Sequence, residues 1–291
     1  MAMGCALRIV VLKENTAARP QVQAGHGLSL LVECGPTRLL FDTGPDDTVV
    51  ANARALGLEL RPLTAIVLSH GHYDHTGGLA AVLAEVGPAR VVAHPGVFDQ
   101  TYAQNGGEGL RYIGPPLSQS EYEARGARFE LSESPVRLAE GLVTTGEVPQ
   151  TASVAPADHG LLRRGPEGVL PDSFRDDLSL VARLPTCCVV IAGCGHAGLL
   201  NILRQAEMVA PGRRPRAVIG GLHLGATSDE AVAALAAATY ARGVRTLLPC
   251  HCTGERAIEV LRARFPGAVT RIGTGTEICL HQDGSSTIMG P

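Results

Sequence analysis

Three histidines and one aspartate fall within six positions, His70-Gly71-His72-Tyr73-Asp74-His75, directly after the apolar run Thr64-Ala65-Ile66-Val67-Leu68. Imidazole and carboxylate are the ligand set that suits zinc, iron or manganese. The apolar run predicts a strand that ends in a turn, with a helix starting near Thr76. Gly71 lets the backbone bend sharply, and the turn bunches the four side chains. His70 and His72 can close on one metal, while Asp74 and His75 point to a second. The chain has 10 His in 291 residues, too few for chance clustering to be a good explanation.

Two metals need further ligands, and a rigid sheet edge is where they are best held. Ala192-Gly193-Cys194-Gly195-His196-Ala197-Gly198 follows one predicted strand, and Pro249-Cys250-His251-Cys252-Thr253-Gly254 follows another. In each, a His stands among small residues at a strand end; the plainer alternative is a core histidine satisfied by hydrogen bonds. His223 also follows a strand and could protonate a leaving group as a general acid.

The elements that must carry these residues alternate. Residues 7–12, 28–34, 38–44, 65–69 and 90–93 predict strands, and 48–56 and 79–86 predict helices. The pattern weakens from about 98 to 176, where Gly, Pro, Ser and Arg are common and only 128–131 and 141–145 read as strands. This stretch reads as an elaborated lid or substrate region of one domain spanning 1–291. Order returns with a hairpin at 178–184 and 187–193, then strands at 217–221, 246–249, 269–272 and 277–281. Helices at 199–210, 228–242 and 255–265 lie between them, with Ser228 as a cap. Pattern alone gives an α/β protein.

The segment H-x-H-x-D-H after an apolar strand resembles the signature of the metallo-β-lactamase-fold hydrolases. That resemblance implies a four-layer αββα sandwich with the ligands at one edge between the sheets. It implies His70, His72 and His196 on one metal and Asp74, His75 and His251 on the other, with a bridging water or hydroxide. Asp42 would be a carboxylate that orients a ligand histidine through its other ring nitrogen. The chain departs from the commonest pattern in two places. Thr144-Thr145-Gly146-Glu147 has no His where many members have one, and Cys194-Gly195-His196 stands where many keep a bridging Asp. Cys194 could therefore bind as thiolate, or be a small core residue. Asp177 reads as a strand-end residue rather than a ligand, and Glu147 as a residue that lines the pocket or binds a substrate amine. His26 and His94 are further candidates beside the site.

A narrower resemblance covers nearly the whole chain. Gly25-His26-Gly27-Leu28, His94-Pro95-Gly96-Val97-Phe98, Gly146-Glu147-Val148-Pro149, Gly220-Gly221-Leu222-His223-Leu224 and the two late motifs occur in the order found in one branch. It is the group known as 7,8-dihydropterin-6-yl-methyl-4-(β-D-ribofuranosyl)aminobenzene 5′-phosphate synthase. The function implied is a metal-dependent hydrolase that uses two divalent ions, zinc first, with iron or manganese as alternatives. Asp74 would steer the nucleophile and His223 deliver the proton. The rival readings are an iron-dependent redox enzyme, suggested by Cys194, Cys250 and Cys252, and a small-ligand binder without turnover.

Bulk properties narrow the partners. A net charge of −3 argues against nucleic acid. No stretch of about 18 uninterrupted apolar residues suggests a membrane span. Eight dispersed cysteines are not a secreted disulfide scaffold, and a reducing cytoplasm is the simplest setting. Arg111, Arg125, Arg128, Arg137, Arg163, Arg164 and Arg175 in the irregular region suit a small phosphorylated or otherwise anionic substrate, although solvated arginines are the plainer reading for most.

Overall fold

The structure, a computed structural model, describes residues 5–104, 109–152 and 160–289. Among these, eight strands form one sheet, in spatial order Ser286–Met289, Glu277–Leu280, Leu7–Lys13, Ser29–Cys34, Thr37–Phe41, Ala65–Val67, Ala89–Ala93 and Ala127–Leu131. Seven form a second: Ala268–Val269, Thr246–Pro249, Arg214–Gly220, Cys187–Ala192, Ser179–Arg183, Leu142–Thr144 and Arg137–Ala139.

Both faces of each sheet are covered, which is why the strands read as near-continuous apolar runs. Successive side chains still point to opposite faces. Ile9, Val11, Leu30, Val32 and Phe41 of the first sheet meet Leu180, Val189, Ile191, Ala217 and Ile219 of the second in one buried cluster. The residues between them turn outward. Val10, Leu12, Leu31 and Ile66 pack on Val49, Ala53, Leu79 and Leu83 of the helices Thr48–Ala55 and Leu79–Val86. Cys188, Val190 and Val218 pack on Leu199, Ile202, Val232, Leu235 and Leu261 of the helices Leu199–Val209, Asp229–Ala241 and Glu255–Arg264. The result is the expected αββα order of layers, built almost wholly from aliphatic side chains.

The irregular region does more than cover the site. Ala127–Leu131 extends the first sheet parallel to Ala89–Ala93, and Leu142–Thr144 pairs with Ser179–Arg183 in the second. Thr101–Ala103, Arg111–Tyr112, Leu161–Gly165 and Gly168–Pro171 form a small third sheet that sequence pattern did not reveal. Its strands are two to five residues long and carry arginines, so they show no apolar period to read. The helix Gln119–Glu123, fixed by a capping box of Ser118 and Glu121, was also missed.

The cysteines, read from sequence as dispersed and in a reducing setting, include one bonded pair. Cys5 is disulfide-bonded to Cys279, because Arg8 pairs with Cys279 and Leu7 with Leu280 and this brings the N-terminal segment alongside. The other six are free. No helix among the described residues is long and apolar enough to cross a membrane.

Candidate metal centre

The singled-out residues meet because of strand direction. Thr37–Phe41 and Ala65–Val67 run parallel, as do Cys187–Ala192, Arg214–Gly220 and Thr246–Pro249. Asp42, His70, Cys194, His196, His223 and His251 all follow the C-terminal ends of these strands. His72 precedes the short helix Tyr73–Thr76, which carries Asp74 and His75 inward. Gly71 is required here for space: an added Cβ would collide with the carbonyl of Val97.

The side chains converge. His70 Nε2 lies 3.0 Å from His72 Nδ1, and the His196 ring centre is 5.0 Å from that of His70 and 5.1 Å from that of His72. His75 Nε2 is 3.1 Å from His251 Nε2 and 3.2 Å from Cys194 Sγ. Asp74 Oδ2 is 3.3 Å from His251 Nε2 and 3.7 Å from His75 Nε2. Three sets of ligand atoms share the Cys194 sulfur, one with His70 and His196, one with His75 and His251 and one with His223 and Cys252, each set within 4.8 Å. Cys194, weighed from sequence as a thiolate ligand or a small core residue, thus stands between the two histidine pairs.

A buried scaffold orients these rings. Asp42, fully buried at φ 60°, faces His75 Nδ1 at 2.7 Å through Oδ2. The same oxygen accepts from Ser69 Oγ at 2.7 Å, and Oδ1 accepts from the Ser69 amide. Ser69 Oγ also lies 2.9 Å from His70 Nδ1. Glu14 accepts from the His251 amide, and Asn15 Oδ1 is 3.0 Å from His251 Nδ1. Phe174 stacks on His196, with centroids 4.3 Å apart and planes 4° from parallel. Asp177 Oδ2 accepts from the amide of Ala197 beside His196, so it braces that loop. Glu14, Asn15, Ser69 and Phe174 were missed; none belongs to a spacing motif, and only the fold brings them in.

Asp42→Asn isolates the charge of this scaffold, since Asn tolerates a left-handed φ. It places an amide donor against groups that need an acceptor. We expect metal affinity or turnover to fall about 10- to 100-fold, measured by metal titration and steady-state kinetics.

Electrostatics follow from burial and crowding. Burial, then the neighbouring imidazoles, hold His70 and His72 well below the usual histidine range, so both stay neutral. Burial opposes ionisation of Asp74, but His75, His251 and His26 outweigh it and keep the carboxyl well below its ordinary value. Burial likewise opposes protonation of His75, yet Asp42 and Asp74 prevail and push it up to about 9. The carboxylates demand a positive charge at this point.

A raised histidine stabilises the fold fully below its unfolded value, near 6.5, and that stability is lost as pH rises through about 9. Chelator-stripped protein should therefore melt at progressively lower temperature across this window. Metal-loaded protein, in which a cation replaces the proton, should show little such slope. Thermal denaturation from pH 6 to 10 in both forms checks this.

The site opens into a cavity of about 130 Å³ lined by His26, His72, Asp74, Cys194, His196, His223, His251 and Cys252, with Tyr73, Ala103, Arg111, Ile113 and Leu161 from the covering side. His26 Nε2 reaches Asp74 Oδ2 at 2.9 Å. The His223 ring lies 4.2 Å from that of His196. Glu147 is a correction: it does not line this cavity but pairs with Arg175, Oε2 to Nη2 at 2.9 Å. Burial lowers His94, which stands 3.7 Å from Glu147, outside the cavity. Of the seven arginines of the irregular region, Arg111 alone lines the cavity.

Known proteins resemble this chain in sequence and fold. Residues 22–161 match the family model described as the metallo-beta-lactamase superfamily. The 7,8-dihydropterin-6-methyl-4-(beta-D-ribofuranosyl)-aminobenzene-5′-phosphate synthase of Methanocaldococcus jannaschii is 28% identical over 279 residues, covering 92% of this chain and 95% of its own. An uncharacterized protein of the same archaeon, MJ0448, is 30% identical over 254 residues, or 87% and 93% of the two chains. The crystal structure of Tm1679, a metal-dependent hydrolase of the beta-lactamase superfamily, superposes with a TM-score of 0.82 at 30% identity, over 94% of this chain and 99% of that one. With histidines and an aspartate gathered at the shared edge of two sheets, and this degree of identity and superposition along nearly its whole length, the chain belongs to the metallo-β-lactamase superfamily.

Proposed function

We propose that the protein is a hydrolase that holds two divalent cations at the shared sheet edge and cleaves an ester, phosphoester or related bond in a small molecule. The observation that carries this reading is the meeting of His75 Nε2, His251 Nε2, Cys194 Sγ and Asp74 Oδ2 within 3.1–3.7 Å. Buried lone pairs in such number are costly without a shared cation. Imidazoles, a cysteine and a carboxylate, each deprotonated on binding, are the donor set that zinc accepts, and iron or manganese can also use most of it. His70, His72 and His196 would hold one ion, Asp74, His75 and His251 the other, with Cys194 in reach of both.

When bound, the ions supply Lewis acidity and hydroxide at neutral pH. The protein does the rest. Asp42 and Asn15 fix which nitrogens of His75 and His251 face inward. Asp74 presents its carboxylate to the cavity beside the reacting bond. His223, aimed by a left-handed φ of 47°, donates the proton to the departing atom. A reducing, cytoplasmic setting suits a site whose Cys194 and Cys252 must remain thiols.

The test is turnover of a panel of phosphodiesters, lactones and thioesters, with formation of the pterin phosphate named for the archaeal relative as a further arm. Turnover lost on chelation and restored by zinc supports the reading. Full turnover with no bound metal ends it, and saturable binding without product would make the protein a binder.

Cys252 favours a second reading. Burial opposes its ionisation, but the Cys194 thiol and His223 hold it well below the usual thiol range. Thiolates beside imidazoles suit iron and redox chemistry on thiols. Iron in protein purified without added metal, with thiol oxidation and no hydrolysis, would select it.

A further inference from the structure

The covering side of the cavity is asymmetric. Ala103, Ile113 and Leu161 are apolar, and Arg111 is the single cation among the lining residues. Residues two apart on a strand share a face, so Arg111 and Ile113 turn to the cavity while Tyr102 and Tyr112 pair with each other behind them. The placement is anchored: the Tyr73 amide donates to the Ile113 carbonyl at 2.7 Å, and the Ile113 amide donates to the Thr101 carbonyl at 2.9 Å. The covering sheet is thereby tied to the very turn that carries Asp74.

Three other arginines of this region are engaged. Arg163 pairs with Asp99 at 2.5 Å, Arg175 with Glu147, and Arg164 lies over the Tyr102 ring. Among the described residues Arg111 has no carboxylate partner; its guanidinium carbon stands 6.0 Å from the centre of the Tyr73 ring. The one carboxylate lining the cavity, Asp74, is held by His26 and His251. The cavity, at about 130 Å³, is smaller than the roughly 300–1,000 Å³ that encloses a drug-sized ligand. It admits the reacting end of a substrate and leaves the rest outside, and Arg111 is an exposed residue of its lining.

We propose that Arg111 binds an oxyanion group of the substrate, a phosphate or carboxylate, on the side of the reacting bond away from the metal centre. This deepens the hydrolase reading and rests on it. A guanidinium presents paired donors that match either oxyanion, and the apolar covering residues then face the body between the anion and the scissile bond. Arg111 is a specificity residue; it takes no part in the bond cleavage.

The test is isothermal titration of zinc-loaded protein with phenyl phosphate, benzoate and the neutral benzyl alcohol, in wild type, Arg111→Lys and Arg111→Ala. Wild type should bind one or both anions more tightly than the alcohol, and the tighter of the two names the group. Arg111→Ala should weaken that anion about 10- to 100-fold, leave the alcohol unchanged and keep its full zinc content. Arg111→Lys should recover part of the loss. Equal anion binding by wild type and Arg111→Ala overturns the proposal, as does a wild type that prefers neither anion to the alcohol. Turnover of the substrate panel with and without chelator, read separately, decides the underlying hydrolase reading, so the two failures are distinct.

Discussion

Asp74→Asn should leave no more than one cation per chain and lower kcat/KM by more than about 100-fold. Removing a group that only orients a metal ligand costs about 10- to 100-fold, and Asp74 is closer to the centre than that. Its Oδ2 touches the second cluster from two directions, at 3.3 Å from His251 Nε2 and 3.7 Å from His75 Nε2. The asparagine is nearly isosteric, so packing is kept. What disappears is the negative charge around which three histidines gather. Elemental analysis of the purified variant beside steady-state kinetics checks both halves. Two retained ions with near-normal turnover would remove Asp74 from the role given to it.

Gly193→Ala tests the scaffold instead of the ligands. Gly193 follows the strand Cys187–Ala192 and faces the other sheet. A Cβ there would collide with Ser69 Oγ and meet Asp42 Oδ2 at 3.0 Å. Ser69 and Asp42 cannot retreat, because each holds the other and a ligand histidine. Overpacking of a close-fitted interior costs about 1–3 kcal/mol, occasionally more. The strain falls on the hydrogen bonds that aim His70 and His75. We therefore expect lower unfolding free energy together with weaker metal binding, measured by urea denaturation of the stripped protein and by metal titration. A stability loss with unchanged metal affinity would show that the Asp42–Ser69 pair is structural only.

The sequence made some parts of this molecule plain and others invisible, for physical reasons. His70, His72, Asp74 and His75 were legible because one turn concentrates them. His196 and His251 were legible because each ends an apolar strand, and parallel strands deliver their ends to one edge. The two main sheets were legible because both are aliphatic on both faces. Glu14 and Asn15 gave no signal: they lie 236–237 residues from His251, and only strand pairing brings them to it. Phe174 was hidden in a run with no period. Cys194 was weighed both as a thiolate ligand and as a small core residue, since sequence alone does not show which histidines a thiol will meet in space. Glu147 was misplaced because local motif order does not reveal that Arg175 would claim it. The strands of the small third sheet are only two to five residues long, too short to show a period, so its role in presenting Arg111 emerged only from the coordinates.

The central claim is that a pair of cations bridges the two sheet edges, and anomalous X-ray diffraction from crystals of the zinc-loaded protein tests it most directly. We expect two anomalous peaks per chain, one among His70, His72 and His196 and one among Asp74, His75 and His251, with the Cys194 sulfur between them. Crystals of active protein showing no peak within reach of these side chains would contradict it.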